Sequence, residues 1–292
     1  MIYFRVMLSS TKPLIGGHVS AASGVYNAIA NGEAIGAACI QIFGSSPIQL
    51  SVRVPPSSDV AKFREFQAKS TIQKVFLHAP YLANIASPRA SLRKISTVLL
   101  IKHLQITESL GAVGLIFHIG SGQEMPKKQA MAEAVKCMKE IIKGVPGQSY
   151  LIIENAAGGG QKLGALSADI GTMMQAVKSP RIRACIDTAH AFEAGVIMEY
   201  TPANVKRFAD ELDRTIGLEN IVALHANDSM TAAGSHHDRH ENIGKGYIGF
   251  SGFKNLAKEK RFWDKAWLLE VPGFTGEGPD KKNVQILNSC FS

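Results

Sequence analysis

The sequence predicts a (β/α)8 barrel, the TIM-barrel fold, formed as one domain by residues 1–292. Short apolar runs recur along the chain, and segments with helical apolar spacing separate them. Strands that alternate with helices form a parallel sheet, and eight such units fit a chain of this length. No linker or low-complexity segment interrupts the pattern, which favours one domain; residues 1–12 are either a further strand or an N-terminal extension.

The elements follow from the apolar runs and the segments between them. The predicted strands are residues 13–17, 38–43, 74–78, 113–118, 150–154, 182–187, 220–225 and 266–270. The predicted helices are residues 60–69, 91–110, 127–143, 167–177, 202–216 and 250–258. Ser57, Ser58 and Asp59 are expected to open the first helix, and Pro202 suits a first-turn position.

Composition and charge narrow the class of protein. The chain is 46% hydrophobic and 19% charged, and its formal net charge of +8 suits a polyanionic partner such as nucleic acid. Its scattered cysteines, Cys39, Cys137, Cys185 and Cys290, lack CxxC spacing and indicate a reduced, intracellular protein. The apolar start, MIYFRVML, is too short to span a bilayer, so we expect no membrane contact.

Six of the predicted strands end on a side chain that can bind a metal ion. These residues are His78, His118, Glu154, Asp187, His225 and Glu270, and three more follow in His190, Asp238 and His240. Strand ends of a parallel barrel converge on one face, where Asp238 and His240, two residues apart, can chelate one ion. His190 faces the same site as Asp187 if the chain turns helical after the strand. Five histidines and four carboxylates indicate two or three zinc-class ions.

Each signal also has an ordinary structural interpretation. A single histidine at a strand end, or one Asp-x-His in a loop, is more often a polar residue without a ligand role. Glu154 is harder to explain in that way, because a carboxylate that ends a buried run needs a partner. His18 is expected to support the ligands rather than bind a metal, whereas His103 and Cys185 are expected to pack in the core.

Six motifs in order resemble the endonuclease IV family of apurinic/apyrimidinic endonucleases, over nearly the whole chain. They are GGHVSAASG (16–24), HAPYLANIASP (78–88), IENAAGGG (153–160), CIDTAHAFEAG (185–195), HANDS (225–229) and GSHHDRHENIGKGYIG (234–249). The resemblance implies a TIM barrel with a trinuclear zinc cluster that acts in base excision repair. It implies cleavage of double-stranded DNA 5′ to an abasic site, which leaves a 3′-hydroxyl and a 5′-deoxyribose phosphate, and removal of groups that block 3′ ends.

The resemblance also assigns roles to residues. It implies one zinc held by His78 and His118, a second by Asp187, His225 and Glu270, with Glu154 bridging the two, and a third by His190, Asp238 and His240. Glu154 is then catalytic, because it bridges the ions that activate the attacking water. Mn²⁺ is an alternative at some sites. Tyr81 and Leu82 match positions that probe the minor groove near the lesion, and Lys245 is a candidate phosphate contact. We expect a monomer, associated with the nucleoid if the source is bacterial.

One loop departs from the family pattern. After the second strand the family shows an arginine followed by an aromatic residue, whereas this chain reads FGSSPIQL, with Ile48 and Leu50 near those places. Loss of an inserting arginine predicts weaker binding of the lesion, unless Arg53 substitutes for it. The metal ligands are unaffected by this departure.

Two other functions fit part of the pattern. Sugar isomerases and epimerases of the xylose-isomerase-like superfamily share the barrel but usually need one or two ions. The third group, His190 with Asp238 and His240, discriminates against them. A non-catalytic DNA-binding protein would use the basic surface and keep its metals for stability, although ligands with open coordination positions argue against it.

Overall fold

The computed structural model describes residues 12–46, 49 and 51–292. Its strands are β1 (Leu14–His18), β2 (Cys39–Phe43), β3 (Lys74–His78), β4 (Gly114–Phe117), β5 (Tyr150–Glu154), β6 (Ile182–Asp187), β7 (Ile221–His225), β8 (Asp228–Ser229), β9 (His240–Glu241) and β10 (Ala266–Leu269). Strands β1–β7 and β10 are parallel and form a closed barrel in sequence order, with β10 beside β1. The predicted (β/α)8 fold is confirmed, and β8 and β9 pair as a small antiparallel ribbon at the barrel mouth.

Nine helices surround this barrel within the described part of the chain. They are α1 (Asn27–Ala34), α2 (Ser57–Lys69), α3 (Ala90–Leu110), α4 (Lys127–Gly144), α5 (Ser167–Val177), α6 (Thr188–Glu193), α7 (Pro202–Thr215), α8 (Gly249–Ala257) and α9 (Lys281–Ser289). Pro202 lies in the first turn of α7, as predicted. Ser57, Ser58 and Asp59 open α2, as predicted; they form its first turn, and its N-cap is Pro56.

The barrel interior explains why the candidate ligands lie at the strand ends. Its floor is an apolar cluster of inward-pointing residues: Cys39, Phe76, Ile116, Ile152, Cys185, Ala223, Ala266 and Leu268. Side chains alternate between the two faces of a strand, so the residue two positions further along points inward again. That position holds His78 after Phe76, Glu154 after Ile152 and His225 after Ala223. The apolar floor therefore carries a polar layer directly above it.

Between barrel and helices lies a second, larger apolar core. Gly32 of α1 belongs to this layer, because a Cβ at that position would lie 2.5 Å from Ile40 Cγ2. All four cysteines are buried and free. Within the described residues, no helix combines the length and the apolar character that a bilayer crossing requires.

Candidate metal centre

The mouth of the barrel brings together all nine metal-capable side chains predicted from the sequence. Their ligand atoms form overlapping groups in which every pair lies within 4.8 Å: His78–His118–Glu154, Glu154–Asp187–His225–Glu270, Asp187–His190–His240, and His190–Glu193–Asp238. Because Glu154, Asp187 and His190 each belong to two groups, the groups are one continuous cluster. Such a density of nitrogen and carboxylate donors suits ions of the zinc class.

Glu154 lies at the centre of this cluster and is fully buried. Its Oε2 is 2.9 Å from His78 Nε2 and 3.5 Å from His118 Nε2. Its Oε1 is 2.9 Å from His225 Nδ1 and 3.3 Å from His190 Nδ1. Each carboxylate oxygen thus faces a different pair of histidines, which suits a carboxylate that bridges two cations.

Four of the histidines bind the protein through one ring nitrogen and turn the other into the cluster. The outer contacts are His78 Nδ1 to Ala79 O (2.7 Å), His190 Nδ1 to Asn155 O (2.9 Å), His240 Nδ1 to Glu270 O (3.3 Å) and His225 Nε2 to Gln41 Oε1 (2.8 Å). A carbonyl oxygen only accepts, so the outer nitrogens donate, and in a neutral ring the inner nitrogen then presents a lone pair. Metal-binding histidines are oriented in this way.

Two buried histidine nitrogens indicate that this set of donor atoms fits divalent cations. His190 Nε2 and His240 Nε2 are buried, and neither has a hydrogen-bond partner among the described residues. An unpartnered buried polar atom costs about 1–3 kcal/mol. His190 Nε2 lies 3.3 Å from Asp238 Oδ1, and His240 Nε2 lies 3.5 Å from Asp187 Oδ2. Cations bound here would satisfy both nitrogens and the carboxylates beside them.

The electrostatics of the cluster also favour cations. Burial by itself would raise the pKa of Glu154, but His118 and His225 outweigh it and lower that pKa well below the usual value. Glu270 is partly buried, and burial raises its pKa as well, but His225 outweighs this effect and lowers the pKa to about 2. In His190, burial lowers the pKa, whereas Asp187 and Asp238 raise it well above the ordinary value. Glu154 and Glu270 therefore stay ionised at neutral pH and attract positive charge.

Helix α6 forms where the chain was expected to turn helical, and it positions His190. Asp187 is the N-cap of α6 and accepts a hydrogen bond from the His190 backbone N–H at 2.8 Å. This cap fixes the Asp187 side chain while the first turn of α6 directs His190 toward the same centre. One carboxylate therefore both ends the strand and starts the helix.

Two amide side chains that the sequence analysis did not single out support the carboxylates. Gln41 donates from Nε2 to Glu270 Oε1 and contacts His18 Nδ1 at 2.9 Å. Asn227 donates to Asp187 Oδ2 at 2.7 Å and accepts from the Glu270 backbone N–H at 2.7 Å. Strand alternation was an available signal for Gln41, because it lies two positions after the inward-pointing Cys39.

The residues expected to contact DNA lie on the rim. Tyr81 is 65% exposed, and its ring centroid is 6.0 Å from that of His78. Leu82 is 44% exposed, and Lys245 is exposed in the loop before α8. A cavity of about 340 Å³, lined by residues that include Tyr81, His118 and Asp238, opens beside the cluster. Ile48 and Leu50, where the loop departs from the family pattern, lie outside the described residues.

Comparison with known proteins gives three kinds of similarity. A family model for xylose isomerase-like TIM barrels matches residues 29–290. The probable endonuclease 4 of Aquifex aeolicus is 31% identical over 279 residues, which cover 95% of this chain and 98% of that protein. The crystal structure of endonuclease IV from Thermus thermophilus superposes with a TM-score of 0.83 at 30% identity, covering 95% of this chain and 98% of that one. A D-tagatose 3-epimerase-like protein, at a TM-score of 0.70 and 17% identity over 95% of this chain and 96% of its own, shares the fold.

Proposed function

The chain belongs to the endonuclease IV family within the xylose isomerase-like TIM barrels, and on this premise we propose that it is a zinc-dependent apurinic/apyrimidinic endonuclease. It hydrolyses the phosphodiester 5′ to an abasic site in double-stranded DNA and leaves a 3′-hydroxyl and a 5′-deoxyribose phosphate. The same chemistry removes blocking groups from 3′ ends. The proposal includes the identity of the metal as zinc, a count of three ions per chain and the activity at 3′ ends.

The observation that carries the proposal is the third ligand group. His190 comes from α6, Asp238 from the segment before β9 and His240 from β9 itself, outside the ends of the eight barrel strands. Asp238 Oδ1 lies 3.3 Å from His190 Nε2 and 3.6 Å from His240 Nε2. A sugar epimerase that uses one or two ions has no evident need for this group. Hydrolysis of a phosphodiester uses additional positive charge, because negative charge develops on both the phosphoryl and the leaving oxygens.

Each ion would have its own ligands under this proposal. His78 and His118 hold the first, Asp187, His225 and Glu270 hold the second, and His190, Asp238 and His240 hold the third. Glu154 bridges the first two, as the placement of its two oxygens between different histidine pairs suggests. Mn²⁺ is an alternative occupant at some of these sites.

The ions would supply an activated water and compensate the charge of the phosphate. The protein itself contributes the fixed positions of the charged side chains and the shape of the site. Glu154 has no exposed surface, so its position is set by the protein rather than by solvent. The carboxylates lie at the mouth of a protein whose formal net charge is +8. This positive net charge favours the approach of a polyanion.

Lesion recognition is assigned to the rim. Tyr81 and Leu82 are large, exposed side chains beside the cluster, and they can occupy the gap left by a missing base. Lys245, exposed in the loop before α8, is assigned a contact with a backbone phosphate. The footprint requires one chain, so we propose that the protein acts as a monomer.

Incision of an end-labelled duplex with one abasic-site analogue tests the activity, with the product mapped at nucleotide resolution. We expect a single cut immediately 5′ to the lesion in the zinc-loaded protein and none in an undamaged duplex of the same sequence. Metal analysis is run on the same preparation. About three zinc ions per chain without incision would refute the endonuclease activity, whereas about one ion of Mn²⁺ or Mg²⁺ would favour a sugar epimerase.

A further inference from the structure

Glu193 is a buried carboxylate that the nine predicted ligands do not include. It ends α6 three residues after His190, so both side chains lie on the same face of that helix. Its side chain is fully buried, and its Oε1 accepts hydrogen bonds from Ser229 Oγ at 2.7 Å and from the Arg239 backbone N–H at 3.2 Å. Its Oε2 is buried and has no hydrogen-bond partner in the described part of the chain.

The unpartnered oxygen belongs to a carboxylate at the third ligand group. Glu193, His190 and Asp238 each offer a ligand atom within 4.8 Å of the others. His190 Nε2 is also buried and unpartnered among the described residues. Two buried atoms without a hydrogen-bond partner among the described residues, one nitrogen and one carboxylate oxygen, therefore occur together beside Asp238. A buried charge normally requires pairing or a metal ion.

Glu193 also fixes the segment that carries the other two ligands. Its side chain accepts a hydrogen bond from the backbone N–H of Arg239, which lies between Asp238 and His240 in sequence. Its backbone carbonyl accepts a hydrogen bond from the His236 N–H at 2.9 Å. One residue thus joins α6, β8 and the segment leading into β9. Its Oε1 is used for this attachment, which leaves Oε2 available for a ligand.

We propose that Glu193 is a tenth ligand of the cluster, and that it donates Oε2 to the ion held by His190 and Asp238. The inference rests on the three-ion site proposed above and goes beyond it in its coordination. With His240, the third ion would have four protein donors, the number typical of closed structural zinc sites rather than open catalytic ones. Glu193 then makes the third ion the most firmly retained of the three and brings five carboxylates, instead of four, to the cluster.

Zinc binding by two variants tests the proposal without reference to activity. Glu193→Gln keeps an acceptor for Ser229 and Arg239 but loses the anionic oxygen, whereas Glu193→Ala loses both. Glu199→Gln, at an exposed position just beyond α6, is the matched control. Each protein is loaded with zinc, passed through gel filtration in metal-free buffer and analysed for zinc per chain. Release of the bound zinc to a chromogenic chelator is then followed in time.

We expect Glu193→Gln and Glu193→Ala to retain about one zinc fewer than the wild type, or to bind the third ion about 10–100-fold more weakly. The control should match the wild type. If Glu193→Gln keeps its zinc and Glu193→Ala loses it, Glu193 only attaches the loop and is not a ligand. If both variants keep all their zinc, Glu193 has no role in metal binding. Because Glu193→Gln is nearly isosteric, its circular dichroism should equal that of the wild type. A wild type that binds fewer than three ions would instead overturn the proposed site itself.

Discussion

Gln41 accepts a hydrogen bond from His225 Nε2 at 2.8 Å, and this contact leaves His225 Nδ1 free to face Glu154 at 2.9 Å. The same amide donates to Glu270 Oε1. A residue on β2 therefore sets the orientation of two candidate ligands that come from β7 and from the end of β10. Gln41 is fully buried, so bulk solvent does not reach these contacts.

Replacement of Gln41 by alanine should weaken zinc binding about 10–100-fold, the usual effect of removing the partner that orients a ligand. The His225 ring loses its fixed orientation, and Glu270 loses its donor. Competition with a chelator of known affinity measures the effect. Gln129→Ala, at an exposed position on α4, is the control. Unchanged affinity in Gln41→Ala would show that the ligands are held by other contacts.

The ligand layer could be predicted from the sequence because strand alternation and barrel topology act together. A run such as LIIE fixes Glu154 above Ile152, and eight strand ends necessarily meet at one mouth. Glu193 and Asn227 lie outside the strands, where periodicity gives no information. Their positions depend on how α6 and the segment after β7 pack, which is a tertiary property.

Helices α1 and α9 were missed for local reasons. Gly32 lies inside α1 and weakens its helical pattern, since glycine has low helix propensity. Tertiary packing requires it, because any larger residue would collide with Ile40. Helix α9 is short and follows a glycine-rich loop, and its start depends on the Asp280 cap, which accepts from the Asn283 N–H. The caps and contacts that define these helices outweigh propensity.

Replacement of Glu154 by alanine should abolish incision and leave much of the DNA affinity. The carboxylate lies beside His78 of β3, His118 just after β4, His225 of β7 and His190 of α6, so its loss would separate the first two ions of the proposed site. The rim residues proposed to contact DNA are unchanged. Incision and binding of the abasic duplex are measured on the same protein. Full activity in Glu154→Ala would remove its bridging role, and equal loss of binding would indicate that the mouth had collapsed.

A buried histidine outside the cluster should make stability depend on pH. His103 on α3 is fully buried, and neither ring nitrogen has a hydrogen-bond partner among the described residues. Burial lowers its pKa from 6.5 to about 4, and His78 contributes in the same direction. The unfolded chain therefore takes up a proton at a higher pH than the folded protein does. Stability falls as the pH decreases from about 6.5 to about 4, by about 3 kcal/mol in total.

Replacement of His103 by leucine should remove this contribution. Denaturant unfolding of metal-free protein at pH 7.5 and pH 5, in wild type and variant, isolates the effect, because the cluster histidines are common to both. We expect the wild type to lose more stability than His103→Leu on acidification, by about 2 kcal/mol at pH 5. Parallel losses in the two proteins would show that His103 is protonated or hydrated in the folded state.

Recognition of the missing base should depend on the ring of Tyr81. The ring is 65% exposed and packs edge-on against Phe43, with centroids 5.7 Å apart, so it is held upright at the mouth. Stacking of an aromatic ring on a base is worth about 1–3 kcal/mol. Tyr81→Ala should therefore lose about tenfold or more in affinity for an abasic duplex, measured with a non-cleavable abasic analogue.

Tyr81→Phe separates the ring from its hydroxyl group and serves as the matched control. If the ring fills the gap beside the lesion, the phenylalanine variant should bind the abasic duplex like the wild type, and both variants should retain the wild-type zinc content, because Tyr81 is outside the ligand groups. Equal weakening of binding to intact and abasic duplexes in Tyr81→Ala would indicate a general contact with DNA. Loss limited to the abasic duplex identifies Tyr81 as the residue that distinguishes the lesion.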